Sequence, residues 1–203
     1  MKTALIYHWP AMPPLPPPGQ PVLIRVATTQ PHQTARQELR TALRQLLASW
    51  SRLSPERLPL CETAAGPVWP EPIGGHGLDI SLSYADGEGW IGLIRGEWIG
   101  VDIMRMQHIP EAEEVARNYL EPAALVAIQQ STDPARTFAM AWTEREARLK
   151  CLKQPLSEWS VTQASTTARC ATQNLMHSNG CILTVATKPS ARNASGTSAP
   201  ALI

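Results

Sequence analysis

The sequence predicts an α+β protein, and three stretches predict it. Val22 to Thr28 is short and rich in β-branched residues, as strands are. Trp98 to Ile103 alternates, with Ile99, Val101 and Ile103 on one face and Gly100 and Asp102 on the other. Asp133 to Lys153 instead reads as one helix: Asp133 is a good N-cap, Pro134 suits the first helical position, and Pro155 stops the run. Phe138, Trp142, Leu149 and Leu152 fall close to a helical repeat and are its expected buried stripe.

The remaining elements follow in chain order. Thr3 to Trp9 is a predicted first strand, and Val22 to Thr28 a second. Between them Pro10 to Pro21 holds seven prolines and excludes helix, so it reads as a loop or polyproline linker. Gln33 to Trp50 is helical, with Leu39, Leu43, Leu46 and Leu47 on an apolar face and Arg36, Arg40 and Arg44 recurring every four residues on another. Leu53 to Pro72 is turn-rich, and Asp79 to Ser83 is a strand entering a turn. Trp90 to Ile94 and Glu97 to Ile103 are expected to form a hairpin around Arg95-Gly96. Ile109 to Gln130 reads as one or two helices broken near Glu121-Pro122. Ser157 to Ala164 and Cys181 to Ala186 are predicted strands, and residues 187–203, rich in Ser, Ala, Pro and Thr, a disordered tail.

Composition narrows the function. With 18 basic and 17 acidic residues among 203, no basic excess is available for a nucleic-acid backbone. An apolar content of 43% supports a core, but no run approaches the roughly 18 apolar residues of a membrane span. Lys2 and the apolar residues after it are interrupted by prolines at once, unlike a signal peptide. Cys61, Cys151, Cys170 and Cys181 lack C-x-x-C spacing and read as reduced thiols of a cytoplasmic protein.

The chemistry is carried by two acids. Glu146 and Lys150 lie one turn apart, in itself an ordinary solvated pair. Asp102 is different, because an apolar strand rarely buries a carboxylate without a partner. Gly100, two residues before it, leaves room for a ligand to approach the backbone. One carboxylate from a strand and one from a helix suit a Mg²⁺ ion that also holds phosphates, with Lys150 neutralising the phosphate.

Ile99-Gly100-Val101-Asp102 followed by Trp142-Thr143-Glu144-Arg145-Glu146-Ala147-Arg148-Leu149-Lys150 resembles the paired motifs of the 4′-phosphopantetheinyl transferases, (V/I)-G-(V/I)-D and W-x-x-K-E-A/S-x-x-K. The resemblance covers roughly Arg36 to Gln163 and is nearest the Sfp-type branch of the holo-acyl-carrier-protein synthase superfamily. It implies a pseudo-dimer of two similar α+β halves, residues 1–98 and 99–186, in a monomer. It implies transfer of phosphopantetheine from coenzyme A to a serine of an acyl or peptidyl carrier protein, with Mg²⁺ on Asp102 and Glu146, and Glu146 and Lys150 catalytic. Arg44, with Arg40 in reserve, would contact the 3′-phosphate of coenzyme A. Ser83 matches the serine of F-N-x-S-H-S, and Tyr84 replaces its histidine, which contacts a coenzyme A phosphate. Four positions depart from the pattern. Gly66 stands where a lysine is usual, Tyr84 where a histidine is, Met104 where bacterial members carry another acid, and Ala124 where a glutamate is a proposed base. Glu121 is the acid nearest that last position. Arg145 replaces the usual lysine before Glu146. These departures also fit a degenerate member that binds coenzyme A or a carrier without transfer.

Overall fold

The computed structural model describes residues 2–28, 32–63, 66–69, 76–85, 87–176 and 180–189. Strands and helices mix along the chain, confirming the α+β class. A four-stranded sheet has the order β1-β2-β6-β5, from Leu5–His8, Val22–Ala27, Glu88–Arg95 and Leu78–Ala85. A three-stranded antiparallel sheet has the order β7-β9-β8, from Glu97–Arg105, Cys181–Pro189 and Ala171–Met176. A short hairpin, β3 (Cys61–Thr63) with β4 (Gly66–Val68), lies in the stretch expected to be turns.

Two apolar clusters set the layers. The leucines of α1 (His32–Ser51) pack on one face of the first sheet, against Val22, Ile24, Ile91 and Leu93. The other face of that sheet, through Leu23, Trp90 and Ile94, meets Ile99, Val101, Leu183 and Val185 of the second sheet. The far side of the second sheet is covered by α4 (Pro134–Cys151), the long helix read from the sequence, whose first turn is capped by Asp133 accepting from the Arg136 N–H at 3.0 Å.

Three expectations are corrected. β6 and β7 are not a hairpin: β6 pairs with β2 and β5, and β7 with β9. Gly96, at φ +74°, lets the chain leave one sheet and enter the next, a conformation that side chains with a Cβ resist. Ser157 to Ala164 is not a strand. Its second half opens α5 (Val161–Thr167), where Ser160 accepts from the Gln163 N–H at 3.3 Å, and the strand of that region is β8. The last strand continues through Pro189, so residues 187–189 are sheet; the rest of the expected tail lies outside the described residues. The break at Glu121-Pro122 is where expected, between α2 (Ala112–Tyr119) and α3 (Pro122–Gln130). No cysteine forms a disulfide among the described residues, and no described helix is long and apolar enough to cross a membrane.

Candidate active site

The two sheets meet edge to edge where β5 runs beside β7. The side chains of Asp79, Ser81 and Ser83, alternate residues of β5, accept from the N–H groups of Ile99, Val101 and Ile103 at 2.7, 2.9 and 3.2 Å. Those three N–H groups point away from β9 and would otherwise be unpaired at the junction. Side-chain oxygens of one strand thus do the work of a neighbouring backbone, and they fix β7 against the first half of the chain.

The opposite row of β7 side chains faces α4. A Cβ at Gly100 would collide with the Ala147 carbonyl and the Cys151 N–H. The room expected there for a ligand is therefore taken by the helix backbone, which approaches through small residues: Ala139, Thr143 and Ala147 are all fully buried. Thr143 also hydrogen-bonds Thr184 of β9 at 2.7 Å. This close seat brings Lys150 and Glu146 over Asp102. Lys150 Nζ lies 2.6 Å from Asp102 Oδ1, Ser83 Oγ donates to the same oxygen at 2.9 Å, and Lys150 Nζ donates to Ser83 Oγ at 3.3 Å. Asp102 is only 7% exposed, so these partners meet the cost of burying its charge.

Glu146 makes no such bond among the described residues. Burial, and then the charge of Asp102, push its carboxyl above the ordinary value, against the opposing pull of Lys150 and Arg145. The result is two neighbouring carboxylates and one ammonium, a centre short of positive charge. Met104, two residues beyond Asp102, turns its side chain into the apolar cluster of Ala116, Leu120, Ile128 and Phe138. No group of three or more His, Cys, Asp or Glu side chains able to share a metal occurs among the described residues.

A second charged region lies on the other side of β5. Tyr84 follows Ser83, so its side chain leaves the opposite face. It lines a pocket of about 220 Å³ together with Arg36, Arg40, Gly66 and Leu82. Of the arginine row, the structure brings Arg36 and Arg40 to this pocket. Arg44 donates instead to the Pro55 carbonyl at 3.1 Å and tethers the turn after α1.

Residues 99–192 match the family model described as the 4′-phosphopantetheinyl transferase superfamily. Over that span the chain is similar to this superfamily. No curated protein matches the chain. The matched span contains Asp102, Glu146 and Lys150, whereas Ser83, Tyr84 and the arginine row lie before it. Within it Arg145 donates to the Ser157 carbonyl at 2.6 Å and to Gln163 Oε1 at 2.7 Å, holding the segment that leads into α5. Glu121 and Ala124 line a separate pocket of about 260 Å³ with Arg145 and Arg148. Sequence reasoning missed Asp79, whose carboxylate binds Lys153 at 2.9 Å, and Glu62, which binds Arg40 at 2.6 Å. The period-two placing of Asp79, Ser81 and Ser83 was a readable signal; nothing in the sequence singled out Glu62.

Proposed function

We propose that the chain transfers 4′-phosphopantetheine from coenzyme A to a serine of an acyl or peptidyl carrier protein, releasing 3′,5′-ADP. The observation that carries this reading is the meeting of Asp102, Glu146 and Lys150 from two separate motifs inside the transferase-superfamily span. Two hard oxygen donors with a deficit of positive charge fit Mg²⁺, which accepts few protein carboxylates and completes its shell with water and phosphate. When bound, Mg²⁺ would offset charge on the pyrophosphate of the donor.

The rest falls to the chain itself. Ser83 and Lys150 hold the Asp102 carboxylate in place, and Lys150, whose side chain is partly exposed, is available to a phosphate oxygen. The carrier serine oxygen bonds to the phosphorus that bears pantetheine. The bond from that phosphorus to the 5′-phosphate oxygen of 3′,5′-ADP breaks, and the serine proton is released. The arginine-lined pocket beside Tyr84 would receive the 3′-phosphate, with Arg40 and Arg36 placed for it and Arg44 turned aside. In this reading residues 1–98 and 99–186 form the two halves of a pseudo-dimer within a monomer. The helix-backed sheet in each half supports that division.

Chromatography of 3′,5′-ADP tests the reading. Product is expected only when coenzyme A, an apo carrier and Mg²⁺ are all present. Tight coenzyme A binding with no product across acyl and peptidyl carriers would instead assign the chain to a binder without transferase activity.

A further inference from the structure

Glu62 has no role in the transfer chemistry above, yet it occupies the place an anion would take. From β3 its two carboxylate oxygens receive Nε and Nη2 of Arg40 at 2.6 Å each, beside the pocket that Arg36 and Tyr84 also line. The hydrogen bond from Arg40, and then the charges of Arg36 and Arg44, hold its carboxyl below the ordinary value, so the whole arginine row acts on this one group. The guanidinium fork fits a carboxylate and a phosphate in the same two-pronged way. The two differ in charge: a carboxylate carries one negative charge, a phosphate monoester about 1.5 to 2 at neutral pH. The Glu62 side chain is also 43% exposed, and so open a pair gives up little when it exchanges.

We propose that Glu62 is a built-in competitor for the phosphate monoester of the nucleotide at Arg40, and thereby sets the affinity and selectivity of the pocket. A dianionic phosphate displaces the carboxylate; a hydroxyl or a singly charged group does not. Without such a phosphate, Glu62 offsets the charge of Arg40 beside Arg36. The identity of the monoester as the 3′-phosphate of coenzyme A rests on the proposed function, but the competition at Arg40 does not.

Calorimetric titration of the full chain with 3′,5′-ADP and with dephospho-coenzyme A, which carries no phosphate monoester, separates the possibilities. Glu62→Gln is expected to tighten 3′,5′-ADP by about five- to tenfold, leave dephospho-coenzyme A within about twofold, and lose the gain as salt is raised. Arg40→Gln should weaken 3′,5′-ADP far more than dephospho-coenzyme A, and adding Glu62→Gln to it should gain nothing further. Unchanged or weaker 3′,5′-ADP binding by Glu62→Gln would overturn the proposal and make Glu62 a brace for the β3–β4 hairpin. Equal tightening of both nucleotides would overturn it too. Because the readout is binding, a chain that tightens as expected but never releases 3′,5′-ADP from coenzyme A would refute the transfer reading alone.

Discussion

Asp102 and Glu146 stand in opposite electrostatic situations a short way apart. Asp102 is buried with a lysine and a serine on one of its oxygens, while Glu146 is half-buried, unbonded among the described residues and pushed up by burial and by Asp102. A folded-state value above the unfolded one means the folded protein holds that proton more tightly. The ionised form then opposes folding, and stability falls as pH rises from the ordinary carboxylate range through the raised value. Glu146→Gln should therefore raise the neutral-pH Tm of the free protein and flatten that fall, while transfer drops to background. A thermal scan across pH beside an activity assay checks both, and a lowered Tm at neutral pH would contradict the account. This conflict between stability and function is expected where charges are gathered for a ligand. At this scale the sequence was informative about the two acids, because a strand acid is conspicuous and the paired motifs single out the helix acid. It was not informative about Arg40 against Arg44. Residues one turn apart on a helix differ only in what lies opposite them, here Glu62 for one and the Pro55 carbonyl for the other.

The decisive element is α4 and its seat on β7. Of the expected stripe Phe138 and Leu149 are buried, whereas Trp142 is half-buried and Leu152, half-buried just past the helix end, packs with Ala147 and Ala186; Phe138 and Trp142 stack at 6.0 Å between ring centroids. The face that positions the site, however, is made of Ala139, Thr143 and Ala147 above Gly100. Small residues carry a weak hydrophobic signal, so periodicity finds the side packed on α2 and α3 and passes over the side packed on the sheet. Gly100→Ala should destabilise the fold by about 1–3 kcal/mol or more, since backbone and not a flexible side chain stands in the way. Denaturant unfolding measures it, and a neutral effect would mean that α4 does not sit this close. The false β6–β7 hairpin has a similar origin. Arg95-Gly96 is a proper turn sequence, but turn chemistry does not say whether the next strand stays in the same sheet.

At the scale of the whole molecule, the two larger sheets are joined by a seam that neither sheet contains alone. Asp79, Ser81 and Ser83 pair with β7, and Lys153 bonds back to Asp79 and to the Ile80 carbonyl. The last of these serines also holds Asp102, so the seam and the site share a residue. Ser81→Ala leaves the Val101 N–H without its partner and should cost about 1–3 kcal/mol by denaturant unfolding. A change near zero would show that the seam is replaceable. The α+β class and the order of most elements were legible because propensity and periodicity are local. The sheet order and the seam were not, because they depend on which strand edges find each other after collapse. The central claim is that this assembly moves phosphopantetheine onto a carrier serine. Intact-mass spectrometry of an apo carrier protein incubated with the chain, coenzyme A and Mg²⁺ tests it most directly. The account predicts a gain of one phosphopantetheine group on the carrier serine with the native chain and none with Asp102→Asn or Glu146→Gln. An unmodified carrier in every acyl and peptidyl case, or full modification by both variants, would contradict it.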